Sequence, residues 1–263
     1  MTMHTNKKLQ SLLELLPKGI VATSKWLAQL NISSGLVNQY KQSGWIKQFG
    51  HGAFSRSHDN IPWYGALHSL QFQLNLSIHL GGKSAIEYHG LSHYVSMGRP
   101  TVTLLKSPKT VLPKWFTDYQ WPEILKITEC GLFQNTYGIE IYQMDNIDLK
   151  ISNRERAALE LLYLTPRLYS FDEVPLIMES FASLREDVLV NLLNQCNSEK
   201  VKRLMLYFGE IYNFSWYRNL DLRKMTVGSS LLKIVPKNGK FIPQYNMFVP
   251  HEYRVESDTE IKF

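Results

Sequence analysis

The stretch that decides the reading is residues 20–56, IVATSKWLAQLNISSGLVNQYKQSGWIKQFGHGAFSR. Thr23 or Ser24 can cap a helix running to about Leu30, with Trp26, Leu27 and Leu30 turned inward. Asn31-Ile32-Ser33 predicts a tight connection, because Asn tolerates the left-handed backbone such a turn uses. Ser33 or Ser34 then caps a second helix ending at Ser43, with Gly44 just past its end. WIKQF and AFSR, joined by the Gly50-His51-Gly52 turn, predict two short strands. Helix, turn, helix and hairpin together spell a winged helix-turn-helix.

The helix after the turn has two unlike sides. At 100° per residue, Leu36, Val37 and Tyr40 share one face, and Ser34, Gly35, Asn38 and Gln42 fall opposite, with Gln39 and Lys41 on the flanks. Amides pair bidentately with adenine edges, and small residues allow close approach in a major groove. Lys25, Lys41, Lys47, His51 and Arg56 are the candidates for phosphate contacts. A solvated helix face, or a module that docks a protein, shares this pattern.

The charge map bears on that choice. Residues 1–57 hold Lys7, Lys8, Lys18, Lys25, Lys41, Lys47 and Arg56 against Glu14 alone. That balance equals the formal +6 of the entire chain of 263 residues, so the remaining residues are neutral. A basic segment on a neutral body is the electrostatic footprint of a nucleic-acid binder.

Outward from this segment, Leu9, Leu12, Leu13 and Leu16 predict a leading helix over 7–16. Residues 57–62, SHDNIP, read as a linker, dividing the chain into a DNA-binding domain at 1–57 and a larger body at 63–263. Residues 63–80 carry helical spacing, and a turn at Gly81-Gly82 leads to a short helix from Ser84. TVTLLK (101–106) predicts a buried strand, Trp115 and Trp121 a packed loop, and ILKIT and YGIEIYQM two more strands, parted by a turn near Asn135. Capping-box spacing at Ser152–Glu155 and Ser170–Glu173 opens helices to about Tyr163 and Ser183. Further helices are expected over 185–195 and from Ser198, then an extended run over 226–250 with a hairpin turn at Lys237–Lys240. The fold class is α+β, a winged N-terminal unit followed by a mixed α/β body with a helical segment.

On the helix from Ser198, Val201, Leu204, Met205 and Phe208 share a face, with Arg203 opposite and Lys200 and Lys202 at its edges. That basic edge is either a solvated face or a second contact with nucleic acid or an acidic partner. Other chemistry fades. Gly82-Lys83-Ser84 ends like a phosphate loop, but Ser77 stands where the loop's first glycine belongs. His89 and His93 lack a third ligand with metal-site spacing. Ser230 and Lys233 sit in an expected strand, where positions three apart face opposite ways. No catalytic set, metal or cofactor is expected. Cys130 and Cys196 offer no disulfide framework, the residues behind Lys7 and Lys8 form no secretory signal, and no apolar run suits a membrane span. A cytoplasmic protein is therefore expected.

Taken in order, SGWIKQFGHGAFSR, HLGGKSAIEYHGLSHYV, LREDVLVNLLNQCNSEKVKRLMLYFGE and the closing run to FVPHEY resemble the AbiEi-type antitoxins of type IV toxin–antitoxin systems, which serve abortive infection in phage defence. The resemblance covers nearly the whole chain and contains no catalytic signature. It implies that the winged domain binds inverted repeats in double-stranded DNA of its own promoter and represses the operon. It also implies that the larger domain neutralises a cognate nucleotidyltransferase-like toxin without a stable complex, and supports self-association on DNA. The alternative from the residues alone is a protein-interaction module that masks a partner directly.

Overall fold

The computed structural model describes residue 12 and residues 14–91, 98–221, 227–235 and 239–253. The chain forms two compact units. One comprises Met1–Leu80, Ser96–Glu129 and Ile141–Ile151, the other Gly81–Val95, Cys130–Glu140 and Ser152–Phe263.

The first unit opens with β1 (Ala22–Thr23), α1 (Ser24–Gln29), α2 (Ser34–Gln42), β2 (Ile46–Gly50) and β3 (Ala53–Arg56). The expected leading helix lies largely outside the described residues; residues 12, 14 and 15 are helical. The boundaries follow local chemistry. The Thr23 side chain accepts the Trp26 amide at 3.3 Å, and Ser33 Oγ accepts the Leu36 amide at 3.3 Å, so each helix has a side-chain cap. Asn31 takes φ 56° in the connection, and Gly44 takes φ 74° just past the second helix. The strands form a sheet in the order β1-β3-β2, both pairings antiparallel, with Gly52 at φ 68° in the turn. Leu12, Leu16, Leu27, Ile32, Val37, Tyr40, Ile46 and Phe54 make one core, joined by Ile147 from much later in the chain.

The helical spacing over 63–80 breaks in two. Helix α3 (Trp63–His68) widens into a π-helical stretch, Ser69–Gln73, and the chain then enters strand β4 (Ile78–Leu80). An apolar run this short serves a buried strand as well as a helix, so periodicity alone does not separate them. The π stretch has work for its polar side chains. Gln73 Oε1 accepts the Thr23 amide at 2.8 Å, and Gln73 Nε2 and Ser69 Oγ both donate to the Val21 carbonyl. Gln71 Nε2 donates to the Ile78 and Lys150 carbonyls, each at 3.0 Å. Backbone groups in or beside the strands of two sheets are thereby satisfied by three side chains of one segment.

After α4 (Gly82–Tyr88) come β5 (Thr101–Lys106), a short α5 (Lys114–Thr117), β6 (Ile124–Glu129), β7 (Ile139–Met144) and β8 (Ile147–Ser152). The sheet runs β6-β5-β4-β8-β7, with β4 antiparallel to β5 and parallel to β8, and β5 parallel to β6. Strand β8 was not anticipated from the sequence. Asp145 and Asn146, at φ 49° and 64°, form the two-residue turn that joins β7 to it.

In the second unit α6 (Arg154–Leu164) is buried along most of its length. Its cap is Asn153, one residue later than the spacing suggested, accepting the Arg156 amide at 3.0 Å. Helix α7 (Glu173–Met178) passes into a 3-10 turn to Ser183, and α8 (Glu186–Gln195), α9 (Glu199–Ile211) and α10 (Ser215–Asn219) follow. The closing run holds β9 (Leu232–Lys233), β10 (Lys240–Ile242) and β11 (Met247–Val249), in the order β10-β11-β9. The expected hairpin at 237–240 lies partly outside the described residues. The strands flanking it do not pair with each other, because β11 sits between them, parallel to β9 and antiparallel to β10.

Candidate nucleic-acid interface

Helix α2 sits with Tyr40 and Val37 in the core, at 0% and 6% exposure. That burial fixes its rotation. Ser34, Gly35, Asn38, Gln39 and Gln42 are therefore exposed together, as the helical period requires. Desolvation raises the pKa of the Tyr40 phenol above its ordinary value.

The basic candidates separate into two groups. Lys25 is exposed on α1, His51 is exposed in the hairpin turn, and Lys41 is half-buried beside the outward face of α2. Lys41 Nζ donates to Gln48 Oε1 at 2.9 Å and stands 5.9 Å from the centre of the Phe54 ring. Lys47 is exposed, but its Nζ donates to the Asp59 carbonyl at 3.1 Å. Arg56 turns inward: its guanidinium donates to the Leu16 carbonyl, at the end of the leading helix, where backbone acceptors lack helical partners. Trp45, between α2 and β2, was not singled out from the sequence, yet it is 47% exposed whereas Trp63, Trp115, Trp121 and Trp216 are buried.

Between α1 and α2 lies a groove of about 440 Å³. Leu27, Ile32, Val37 and Phe54 form its apolar floor, and Ser24, Ala28, Ser34 and Asn38 stand on its rim. None of the residues lining it carries a charge.

The hairpin is anchored inside this unit. Phe49 stacks on Tyr119 with ring centres 4.7 Å apart and meets the edge of Trp115 at 6.1 Å. A Cβ at Gly50 would collide with the Cβ of Trp115. Residues 57–62 are tied down as well: Asp59 Oδ2 accepts the Gly19 amide at 2.9 Å, and Ile61 is buried.

The basic edge expected on α9 is arranged differently. Arg203 is 1% exposed and lies among the buried residues, not opposite them. Its guanidinium donates to the carbonyls of Val227, Ser230, Tyr245 and Asn246 and pairs with Glu199 at 3.0 Å. Lys200 Nζ donates to the carbonyls of Tyr163 and Thr165, at 3.2 and 2.6 Å. Burial, with a smaller contribution from Arg167, lowers its pKa to about 8. Two of the three charges thus hold backbone within the fold, and Lys202 is half-buried.

The remaining motifs also find partners within the protein. The Gly82 amide donates to Glu160 at 3.1 Å, and Lys83 pairs with Glu173, so carboxylates of the chain itself take the places an anion would seek. Glu160 is fully buried and also accepts from Ser152 Oγ at 2.7 Å and Arg156 Nε at 2.8 Å. Cys130, with its pKa pushed up to about 12 by burial and then by Glu160, is held as a thiol. His89 Nε2 lies 2.9 Å from the Ser152 carbonyl, and His93 is outside the described residues. Among the described residues no three His, Cys, Asp or Glu side chains come together as a metal site, and no helix is long and apolar enough to cross a membrane.

Comparison with known families fits a regulator. The model described as the N-terminal domain of the AbiEi antitoxin, a transcriptional regulator, matches residues 5–97. The model described as the transcriptional regulator AbiEi antitoxin of type IV toxin–antitoxin systems matches residues 99–250. The chain is of the regulatory antitoxin class, whose partners in general are DNA and a toxin. It belongs to the AbiEi antitoxin family. Among solved structures it is similar to the RV2827C protein from Mycobacterium tuberculosis, with 14% identity and a TM-score of 0.60, over 94% of this chain and 91% of that one. At that identity the likeness is one of fold. No curated protein matches the chain.

Proposed function

We propose that residues 20–56 act as a winged helix-turn-helix that binds the gene's own promoter at inverted repeats and represses it, and that residues 63–263 neutralise a nucleotidyltransferase-like toxin. The observation that carries the DNA-binding reading is helix α2. Its exposed Ser34, Asn38, Gln39 and Gln42 are backed by buried Val37 and Tyr40, in the segment that holds the chain's net charge. In this reading Ser34, Asn38, Gln39 and Gln42 face base edges, and Lys25, Lys41, Lys47 and His51 meet phosphates. Arg56 supports the interface from within, through Leu16.

The test is an anisotropy titration of the full chain on its promoter and on a random duplex, over a salt series. Promoter preference is expected. Lys25→Ala and Lys41→Ala are each expected to flatten the log–log salt dependence by about 0.9, with sequence preference retained. Asn38→Ala is expected to cost about 1–3 kcal/mol on the promoter and little on random DNA. Equal affinity for the two duplexes rules out specific autoregulation. Co-expression of the Asn38→Ala, Gln42→Ala double variant with the toxin separates the two activities: toxin neutralisation persists while repression is lost.

A further inference from the structure

We infer that the groove between α1 and α2 takes the C5 methyl groups of thymines, so that A·T pairs stand where the first turns of α2 meet the duplex. This rests on the DNA-binding reading of the same helix. The geometry joins two observations. Ser34 and Asn38 line the groove and also belong to the outward face of α2, so whatever Asn38 meets lies beside the groove's mouth. The floor consists of Leu27, Ile32, Val37 and Phe54, and nothing charged lines it.

Those properties select among the parts of a DNA duplex. A phosphate seeks a cation, and no charged side chain lines the groove: the Lys41 ammonium stands 5.9 Å from the centre of the Phe54 ring and is engaged by Gln48. The thymine methyl is the apolar group that a base pair presents in the major groove. An adenine edge is also what an asparagine amide pairs with bidentately, so a single A·T step offers partners to Asn38 and to the groove together. Each methyl removed from water against such a floor is worth about fourfold in affinity.

The probe is the promoter duplex made with deoxyuridine in place of thymidine, which deletes the methyls and keeps every base-pairing group. The full chain is expected to bind it about fourfold more weakly for each methyl seated. Ala28 is exposed on the groove rim, so Ala28→Met projects a thioether side chain into the groove without entering the core. That variant is expected to lose the preference for thymidine over deoxyuridine. Equal affinity for the two duplexes, with both preferred over random DNA, overturns the inference and leaves promoter recognition standing. A thymidine preference that persists in Ala28→Met assigns the effect to duplex shape and overturns it as well. Failure to prefer the promoter over random DNA overturns the DNA-binding reading itself, and the inference with it.

Discussion

Arg203 is where a charge read from periodicity changes its meaning. On a helical wheel it falls across from Val201 and Leu204, as a solvated residue would. The fold instead wraps the closing segment over that side, and Arg203 forks onto four carbonyls from residues 24 to 43 positions later. Nothing within a helical turn of Arg203 signals this, because the acceptors are distant backbone. Arg203→Ala is expected to lower unfolding stability by about 1–3 kcal/mol in urea, the cost of leaving its carbonyl acceptors without a donor, since its ion-pair partner Glu199 is itself half exposed. Arg203→Lys is expected to recover little, since an ammonium cannot span several acceptors in a plane. DNA affinity per folded molecule should stay unchanged. Lys200 makes a second prediction, one of pH. Its folded pKa is lowered from 10.5 to about 8, so between those values the unfolded chain holds the proton more tightly. The penalty for burying its charge is therefore complete below about pH 8 and disappears as pH rises towards 10.5. Denaturation at pH 7.5, 8.5 and 9.5 is expected to show wild type gaining on Lys200→Met with each step, at no more than about 1.4 kcal/mol per pH unit.

At the scale of elements, what was legible was local. Thr23, Ser33 and Ser198 cap the helices their spacing announced, because the acceptor and the amide it serves are three residues apart. Thr23→Ala and Ser33→Ala are each expected to cost about 1 kcal/mol of stability in thermal or urea unfolding. The rotation of α2, and with it the exposed candidates Ser34, Asn38 and Gln42, was equally legible, since Val37 and Tyr40 fix it. What was not legible depends on partners from far along the chain. Strand β4 pairs with β5 and β8, and it sits inside a run whose spacing also suits a helix. Strand β8 did carry a signal in the Asp145-Asn146 pair between alternating runs, which is a two-residue hairpin turn. The inward turn of Arg56 had none, for its acceptor belongs to Leu16. The hairpin β2–β3 depends on such distant contacts too. Gly50 lies against Trp115 so closely that Gly50→Ala is expected to cost about 1–3 kcal/mol through overpacking, measured as a fall in the urea midpoint.

At the scale of the molecule, the charge map and the packing map draw different boundaries. All of the net charge lies within residues 1–57, which suggests a small domain separable at a linker. The compact unit containing them also includes Ser96–Glu129 and Ile141–Ile151. Three kinds of contact make the difference. Strand β1 and the residue before it have backbone groups satisfied by Ser69 and Gln73, and without those partners the Thr23 amide and Val21 carbonyl must find water or remain unpaired. The core around Tyr40 and Phe54 includes Ile147. The Phe49 ring loses Trp115, Tyr119 and Trp121 together. A fragment of fewer than about 60 residues buries only about 60% of the surface its unfolded chain exposes even when complete, a smaller share than a larger domain does, and has little margin for such losses. Residues 1–57 alone are therefore expected to lack a cooperative thermal transition in far-UV circular dichroism and to bind the promoter no better than random duplex, under conditions where the full chain discriminates. A fragment that melts cooperatively and retains the full chain's promoter preference would show that the charged segment folds by itself, and that Ser69, Gln73, Ile147 and Trp115 cover it without holding it up.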